Sequence, residues 1–342
     1  MDDALIWTDG RVGRIRLNRP RQINALTLPM VQAISAALAE FSADPGIRAI
    51  AIDGAGERGL CSGGDVRAVR QDILENGAEA AAAFWRTEYA MNAQIAALTK
   101  PYAAFMDGVV MGGGVGVSAY GSIRLTTPRT RLAMPETGIG LFPDVGTLYL
   151  LSRAPGELGT HMALTGEAVG GADAVAAGIA DAVIDPEGWD RVLAALQATP
   201  AGEPVAATRD RVLGAAGAQA APAPELAGRV WIAECYAGED PGAILDRLRA
   251  HPDPEARAAG DLLATRSPLS VAVTLAALRR AATLPSLEAV LDQDLQLVTH
   301  FMRDSDFLEG VRALLVDKDN SPIWQHDNVS QVSAERVGSY FA

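Results

Sequence analysis

Two carboxylates lie in one otherwise apolar stretch of this sequence. Glu136 and Asp144 are eight residues apart within 133–146, where Thr137 is the one other polar side chain. A carboxylate among apolar neighbours is costly to ionise, so its pKa tends to rise and it becomes a usable base or nucleophile. Two such groups can divide the acid and base roles of one reaction. We therefore expect this stretch to carry the chemistry of the protein.

Two glycine-containing segments upstream could supply backbone N–H donors. One is 60–65, Leu-Cys-Ser-Gly-Gly-Asp, and the other is 111–116, Met-Gly-Gly-Gly-Val-Gly. Both are expected at junctions between a strand and a helix, where two N–H groups can form an oxyanion hole. The simpler interpretations are tight strand–helix packing for the second segment and helix capping by Asp65 in the first. The run 114–119 also fits a loose dinucleotide fingerprint, but too few residues follow it for the required helix.

Composition narrows the function classes. The chain has 342 residues, 49% of them hydrophobic, and a net charge of −13, which predicts a sizeable core and argues against a nucleic-acid partner. No uncharged apolar run of about 18 residues predicts a membrane span, and the acidic N-terminus shows no secretory signal. The four histidines are scattered, and the two cysteines are far apart, so neither a metal site nor a disulfide is expected. Cys61 is interpreted as a small buried residue, and Glu88 on pattern alone as a solvated helix residue.

The elements that must position these groups follow from the periodicity. Segments 4–8 and 11–17 predict a hairpin, and further strands are predicted at 47–52, 102–106 and 123–126. Helices are predicted at 28–41, 66–74, 78–98 and 112–120, and this alternation favours an α/β core with mainly parallel strands. We expect a catalytic core at 1–198, an Ala/Pro/Gly-rich connector at 199–228, and a helical region at 229–342 that includes helices at 271–282 and 287–302.

The sequence resembles the crotonase (enoyl-CoA hydratase/isomerase) superfamily, and within it most closely the 3-hydroxyisobutyryl-CoA hydrolase branch. The superfamily motifs appear in the expected order as Asn18-Arg-Pro20 with Asn24-Ala-Leu26, Ser62-Gly-Gly-Asp65, Gly112-Gly-Gly114 and Met134-Pro-Glu136. The similarity to the hydrolase branch runs nearly end to end, through Glu88-Tyr89, 140–146, Leu164-Thr-Gly166, Ser267-Pro268 and Glu-Gly-Val-Arg-Ala-Leu-Leu-Val-Asp-Lys-Asp at 309–319. Ordinary hydratases lack the last string.

The resemblance implies a ββα spiral core that binds coenzyme A thioesters. The oxyanion hole would consist of the N–H groups of Gly64 and Gly113, and the acidic site positions would be Glu136, Asp144 and Glu88. Gly63, Asp65 and Gly112 flank that hole and are expected, with Glu88, to bind the substrate. Three arginines near these motifs are candidates for contacts with the coenzyme A phosphates, although exposed solubilising arginines are an equal alternative: Arg19, Arg21 and Arg67.

One position separates the subfamilies. Hydratases of this superfamily resemble each other in using two glutamates twenty residues apart, and the position twenty residues before Glu136 is Gly116. Glycine has no side chain with which to position water or transfer a proton. The resemblance therefore favours a hydrolase over an enoyl-CoA hydratase or isomerase, and a non-catalytic coenzyme A-binding protein is the third alternative.

We accordingly predict a cytoplasmic acyl-CoA thioester hydrolase for 3-hydroxyisobutyryl-CoA, an intermediate of valine breakdown. Glu136 would act as nucleophile or as general base, a choice that the sequence leaves open. Asp144 would orient the substrate hydroxyl or water. No cofactor or metal is expected beyond the coenzyme A of the substrate. The expected partner is the acyl-CoA, with no nucleic acid and no membrane, and a homo-oligomer is left open.

Overall fold

The computed structural model describes residues 2–218 and 223–342. Eight strands occur in this part of the chain: β1 Ala4–Asp9, β2 Val12–Leu17, β3 Ala49–Gly54, β4 Tyr102–Met106, β5 Val109–Met111, β6 Ile123–Thr126, β7 Arg131–Ala133 and β8 Ala182–Val183.

The same residues form sixteen α-helices: α1 Leu28–Ala43, α2 Val66–Asn76, α3 Ala78–Ala96, α4 Gly113–Gly116, α5 Thr147–Leu151, α6 Leu158–Thr165, α7 Gly171–Ala176, α8 Gly188–Gln197, α9 Val205–Ala215, α10 Val230–Tyr236, α11 Pro241–Ala250, α12 Pro254–Leu263, α13 Pro268–Ala281, α14 Leu287–Phe301, α15 Ser305–Val311 and α16 Ala334–Gly338. Short 3-10 turns at Pro20–Gln22, Glu136–Ile139, Val329–Gln331 and Ser339–Phe341 and a π-helical turn at Arg312–Val316 complete them.

The chain divides into two compact units, each made of three segments. The first unit consists of Met1–Gly64, Thr87–Leu132 and Val169–Glu225. The second consists of Asp65–Arg86, Ala133–Ala168 and Leu226–Ala342. Segments distant in sequence thus pack together in each unit, and the division into core, connector and helical region stays a prediction.

The first unit is built on a six-stranded sheet of order β1-β2-β3-β4-β6-β8. The β1–β2 hairpin is antiparallel, and the other four pairs are parallel, as the alternation of elements predicted. One face of the sheet packs against α8 and α9, where Trp189 stacks on Phe105 with ring centroids 4.9 Å apart. The Trp189 indole also donates to Asp53, whose carboxylate accepts from Arg14 and Arg16, so the buried charge is compensated.

The second unit is helical, as predicted for the C-terminal third. α13 begins at Pro268 after Ser267, whose hydroxyl accepts from the Ser270 N–H and caps the helix. Among the described residues, no single helix is long and apolar enough to cross a membrane, although α12 and α13 together reach that length and apolarity across a 110° bend.

The predicted connector contains a helix. α9 lies within 199–228 and buries Val212 in the core of the first unit. Alanine has the highest helix propensity, so an alanine-rich segment with a few apolar side chains can form a helix despite its glycines. Residues 219–222 of the predicted connector lie outside the described residues.

Candidate active site

Asn24 fixes the loop that precedes Gly64 in the first unit. Its side-chain amide donates to the backbone carbonyls of Ala55 at 3.1 Å, Gly59 at 3.1 Å and Leu60 at 3.0 Å. Its side-chain oxygen accepts from the Arg19 N–H at 2.9 Å. Asn24 itself has φ +55°, which asparagine tolerates better than most residues. The Leu26 N–H then donates to the Gly63 carbonyl at 2.8 Å. The motif Asn24-Ala-Leu26 therefore sets the path of the backbone through Gly63 and Gly64.

The two glycine-containing segments meet in the first unit. A Cβ atom added to Gly113 would lie 3.4 Å from the Gly64 nitrogen, and one added to Gly63 would lie 3.8 Å from the Gly113 nitrogen. Gly63 has φ +110°, and Gly112 has φ +51° with ψ −121°, conformations that strongly favour glycine. We call these residues, Gly63, Gly64, Gly112 and Gly113, the glycine group.

The glycine group offers two backbone donors. Among the described residues, neither the Gly64 N–H nor the Gly113 N–H has a protein acceptor. Such groups are normally paired, so two unpaired donors on adjoining loops mark a place that can accept a ligand oxygen. α4 has only four residues, shorter than the predicted helix 112–120, which agrees with the argument against a dinucleotide-binding unit.

Glu88 belongs to the same region of the first unit. It lies on α3 with 2% of its surface exposed, and its Oε1 would be 2.4 Å from a Cβ on Gly113. The interpretation of Glu88 as a solvated helix residue, made on pattern alone, was wrong. The Cys61 thiol is also buried here, and burial, with the charge of Glu88 adding to it, raises the pKa of Cys61 to about 12. Cys61 therefore stays a thiol at neutral pH and is unsuited to act as a nucleophile.

The second unit holds the two acids on which the sequence argument began. Glu136 begins the 3-10 turn Glu136–Ile139 and is 6% exposed, and Asp144 is 5% exposed. The Leu141 N–H donates to the Glu136 carbonyl at 3.0 Å, and the Thr147 hydroxyl donates to the Asp144 carbonyl at 2.7 Å. We call residues 136–147 the acidic segment. Its burial confirms the apolar setting that the sequence predicted for both carboxylates.

α15 supports the acidic segment from a distant part of the sequence. A Cβ on Gly310 would lie 2.4 Å from the Ile139 carbonyl carbon, and one on Gly140 would lie 2.2 Å from the Asp306 carbonyl oxygen. Two glycines thus allow backbone to meet backbone without intervening side chains. The Ser267 hydroxyl bonds Asp306 at 2.7 Å, and the Ser267 N–H bonds the Thr137 carbonyl at 3.0 Å. The string 309–319, whose role the sequence did not reveal, therefore contains near its start Gly310, which packs against the turn that Glu136 begins.

Asp294 is a carboxyl group of this unit that the sequence reasoning missed. It lies on α14, is fully buried, and accepts from the Gly146 N–H at 2.7 Å through Oδ2. Burial, with the charge of Asp144 as the second cause, raises the pKa of Asp294 well above its ordinary value. A signal was present, because position 294 falls on the apolar stripe of α14, whose buried members include Leu287, Val290, Leu291, Leu297, Val298 and Phe301.

The three arginines do not all belong to one unit. Arg19 and Arg21 are in the first unit, and Arg67 lies exposed on α2 in the second. The Arg19 guanidinium donates to the Ala25 carbonyl at 2.6 Å and pairs with Asp3 at 3.6 Å, so it serves the Asn24 turn. Asp65 accepts from the Ala68 N–H at 3.3 Å and caps α2, which is the simpler interpretation given for it. The phosphate contacts stay a prediction.

Comparison with known proteins identifies the family to which this chain belongs. The family model described as enoyl-CoA hydratase/isomerase matches residues 12–341. The 3-hydroxyisobutyryl-CoA hydrolase, mitochondrial, of Rattus norvegicus is 38% identical, over 99% of this chain and 88% of the relative. The human protein of the same name is 35% identical over the same shares.

Solved structures carry the same fold. A carnitinyl-CoA dehydratase from Mycobacterium thermoresistibile is 45% identical with a TM-score of 0.92, covering 100% of this chain and 97% of that one. An enoyl-CoA hydratase from Rhodobacter sphaeroides 2.4.1 is 37% identical with a TM-score of 0.91 and the same coverage. These similarities confirm the fold predicted from the sequence motifs.

Proposed function

This chain belongs to the enoyl-CoA hydratase/isomerase family, and from that premise we propose that it hydrolyses the thioester of a short, branched 3-hydroxyacyl-CoA, specifically 3-hydroxyisobutyryl-CoA. The observation that carries the proposal is Gly116, the buried last residue of α4. The family resemblance implies that in ordinary hydratases of the superfamily this position, twenty residues before Glu136, holds the first of the two glutamates that they use. The curated relatives bear the name of the hydrolase, which supports the same choice.

The proposed chemistry begins at the thioester carbonyl. The N–H groups of Gly64 and Gly113 donate hydrogen bonds to the carbonyl oxygen and stabilise the negative charge that this oxygen gains when the carbon is attacked. One such donor typically contributes about 3–4 kcal/mol to the transition state. A backbone donor needs no reorganisation at the moment of reaction, and the glycine conformations described above fix both loops.

Glu136 performs the attack or prepares it. As a general base it takes a proton from water, whose oxygen adds to the carbonyl carbon. As a nucleophile its own oxygen adds to that carbon and forms a mixed anhydride, which water then hydrolyses. On either route the carbon–sulfur bond breaks, the coenzyme A sulfur leaves and gains a proton, and the free hydroxy acid remains. Asp144 is assigned to the substrate hydroxyl or to water, and Glu88, beside Gly113, to the hydroxyl.

The pathway of the reaction is proposed from the same family membership. The substrate places the reaction in valine breakdown, and coenzyme A enters only as part of the substrate. The names of the curated relatives locate those proteins in mitochondria. They therefore give no support to the cytoplasmic location expected from the sequence.

An assay with three thioesters tests the proposal. Release of free thiol is measured with 3-hydroxyisobutyryl-CoA and with isobutyryl-CoA, and hydration is measured with crotonyl-CoA. We expect kcat/KM for the hydroxylated substrate to exceed that for isobutyryl-CoA by about 10³-fold or more, because a site that bonds a hydroxyl leaves buried polar groups unpaired without it. Hydration of crotonyl-CoA at a comparable or higher rate would instead support a hydratase, the activity named for the solved structure from Rhodobacter sphaeroides 2.4.1. Equal hydrolysis of the two saturated thioesters would remove the claim that the hydroxyl is recognised.

A further inference from the structure

We infer that Asp294 is a positioning residue for Asp144, because its carboxyl group accepts the Gly146 N–H and holds the acidic segment in the conformation that the reaction uses. The inference rests on the proposed function of that segment. Asp294 follows Asp144 by 150 residues in the sequence and lies on α14, within the same unit.

The backbone beside Asp144 needs such support. Val145 has φ +51° and Gly146 has φ +75°, so two successive residues lie in the left-handed region. A β-branched residue is rare in that region, because its side chain crowds the backbone there, and the surrounding structure must offset this strain. The bond from the Gly146 N–H to Asp294, 2.7 Å long and buried, fixes the peptide that follows Val145.

A second contact from the same helix holds the other side of Asp144. Phe142 stacks on Phe301 of α14, with ring centroids 5.5 Å apart and planes inclined by 25°. Phe301 is seven residues after Asp294, two helical turns along the same face. α14 therefore holds the acidic segment two residues before Asp144 and two residues after it, which limits where the Asp144 carboxylate can lie.

Asp294 can perform this role without a negative charge. The pKa of its carboxyl group is raised well above the ordinary value by complete burial and by the charge of Asp144, while the bond from Gly146 lowers it. A protonated carboxyl group retains an acceptor oxygen for the Gly146 N–H. An asparagine side chain has an acceptor oxygen of the same reach and no charge, so it should replace Asp294. A leucine has a similar size and no acceptor.

The experiment compares Asp294→Asn, Asp294→Leu and the control Gln293→Leu. Gln293 is also buried on α14, but its amide donates to the Ala277 carbonyl at 3.2 Å. The control therefore removes a buried polar contact of the same helix that does not reach the acidic segment. For each variant, kcat and KM are measured on the thioester that the wild type prefers, and amide hydrogen exchange is followed by mass spectrometry in a peptide that covers 142–148.

We expect Asp294→Leu to lower kcat on the order of 10²-fold, because small displacements of a positioned group have effects of that size. Its KM should change little, and exchange in 142–148 should become faster. Asp294→Asn should keep kcat within about threefold and keep the slow exchange, and Gln293→Leu should do the same. The inference is wrong if Asp294→Leu has the same kcat and the same hydrogen exchange as the control Gln293→Leu. It is also wrong if Asp294→Asn loses as much activity as Asp294→Leu.

The Asp294→Asn arm decides the question even where Asp294→Leu does not fold. Absence of thiol release from every thioester in the wild type would contradict the proposed function instead. Hydrogen exchange in 142–148 would still show whether Asp294 holds the acidic segment. Failure of the inference and failure of the proposed function can therefore be told apart.

Discussion

The reactive groups of the glycine group and of the acidic segment are held in place in opposite ways. In the first unit the proposed donors are backbone N–H groups, and their positions depend on the absence of side chains at Gly63 and Gly112. In the second unit the reactive groups are side chains, and residues 148 to 171 positions later in the sequence contact the backbone around them. Local sequence therefore determines the first region, whereas tertiary packing determines the second.

The largest effect is expected from Glu136→Gln in the acidic segment. The amide keeps the size of the side chain but can neither attack the carbonyl carbon nor accept a proton from water. We expect kcat for thiol release to fall by about 10³- to 10⁴-fold with the fold unchanged. Glu239→Gln is the matched control, because Glu239 is an exposed glutamate of the same unit. A folded Glu136→Gln protein with turnover close to that of Glu239→Gln would show that the acidic segment is not the reactive region.

A smaller loss is expected from Gly113→Ala in the glycine group. The added methyl group would lie 2.4 Å from the Glu88 Oε1 and 3.1 Å from Leu26 Cδ1, so the loop or Glu88 must move. Displacement of one oxyanion donor typically costs about 10²- to 10³-fold in kcat. Gly170→Ala is the control in the same unit, because its methyl group would meet no atom within 4 Å. Equal kcat values for the two alanine variants would mean that the glycines serve packing alone.

The smallest effect concerns stability and tests the charge state of Asp294. Its pKa is raised in the folded chain, so the folded protein keeps a proton that the unfolded chain releases above pH ~4. The free energy of unfolding of the wild type therefore decreases as the pH rises from about 4 toward the raised pKa of Asp294. Asp294→Asn has no carboxyl group at this position, so its free energy of unfolding does not decrease for this reason.

We expect the stability of Asp294→Asn relative to the wild type to increase with pH, by up to about 1.4 kcal/mol per pH unit within that window. Urea unfolding at several pH values between 4 and 8 measures the difference. Asp292→Asn is the control, because Asp292 is an exposed residue of the same helix. A relative stability of Asp294→Asn that does not change with pH would show that Asp294 is ionised in the folded protein.

The sequence predicted most of the first region because its determinants are local. The strands β4 and β6 were predicted with their observed bounds, since short apolar runs between turn residues are typical of buried parallel strands. The glycine motifs, interpreted through the family resemblance, named the backbone groups that the structure brings together. The end of α4 was predicted too late, because the apolar residues after Gly116 continue a helical pattern that the backbone does not follow.

The support of the second region could not be predicted in the same way. Nothing near Gly140 indicates that a second glycine, Gly310, lies against the same turn, because glycine leaves no periodic signal. Asp294 interrupts the apolar stripe of α14 and could have been noticed, but its partner Gly146 could not have been identified. The division into core, connector and helical region stays a prediction, since composition along the chain does not report which segments pack together in the two units.

The contact of Gly140 and Ile139 with α15 has a consequence for the order in which the protein is made. Synthesis runs from the N-terminus at about 5–20 residues per second, so the stretch between residues 140 and 310 takes on the order of ten to thirty seconds. During that interval Glu136 has left the peptidyl-transferase centre while the backbone that will support it does not yet exist. Apart from Glu136, Thr137 and Asp144 the stretch 133–146 is apolar, so a nascent chain of this protein exposes this apolar stretch until residue 310 has emerged from the ribosome.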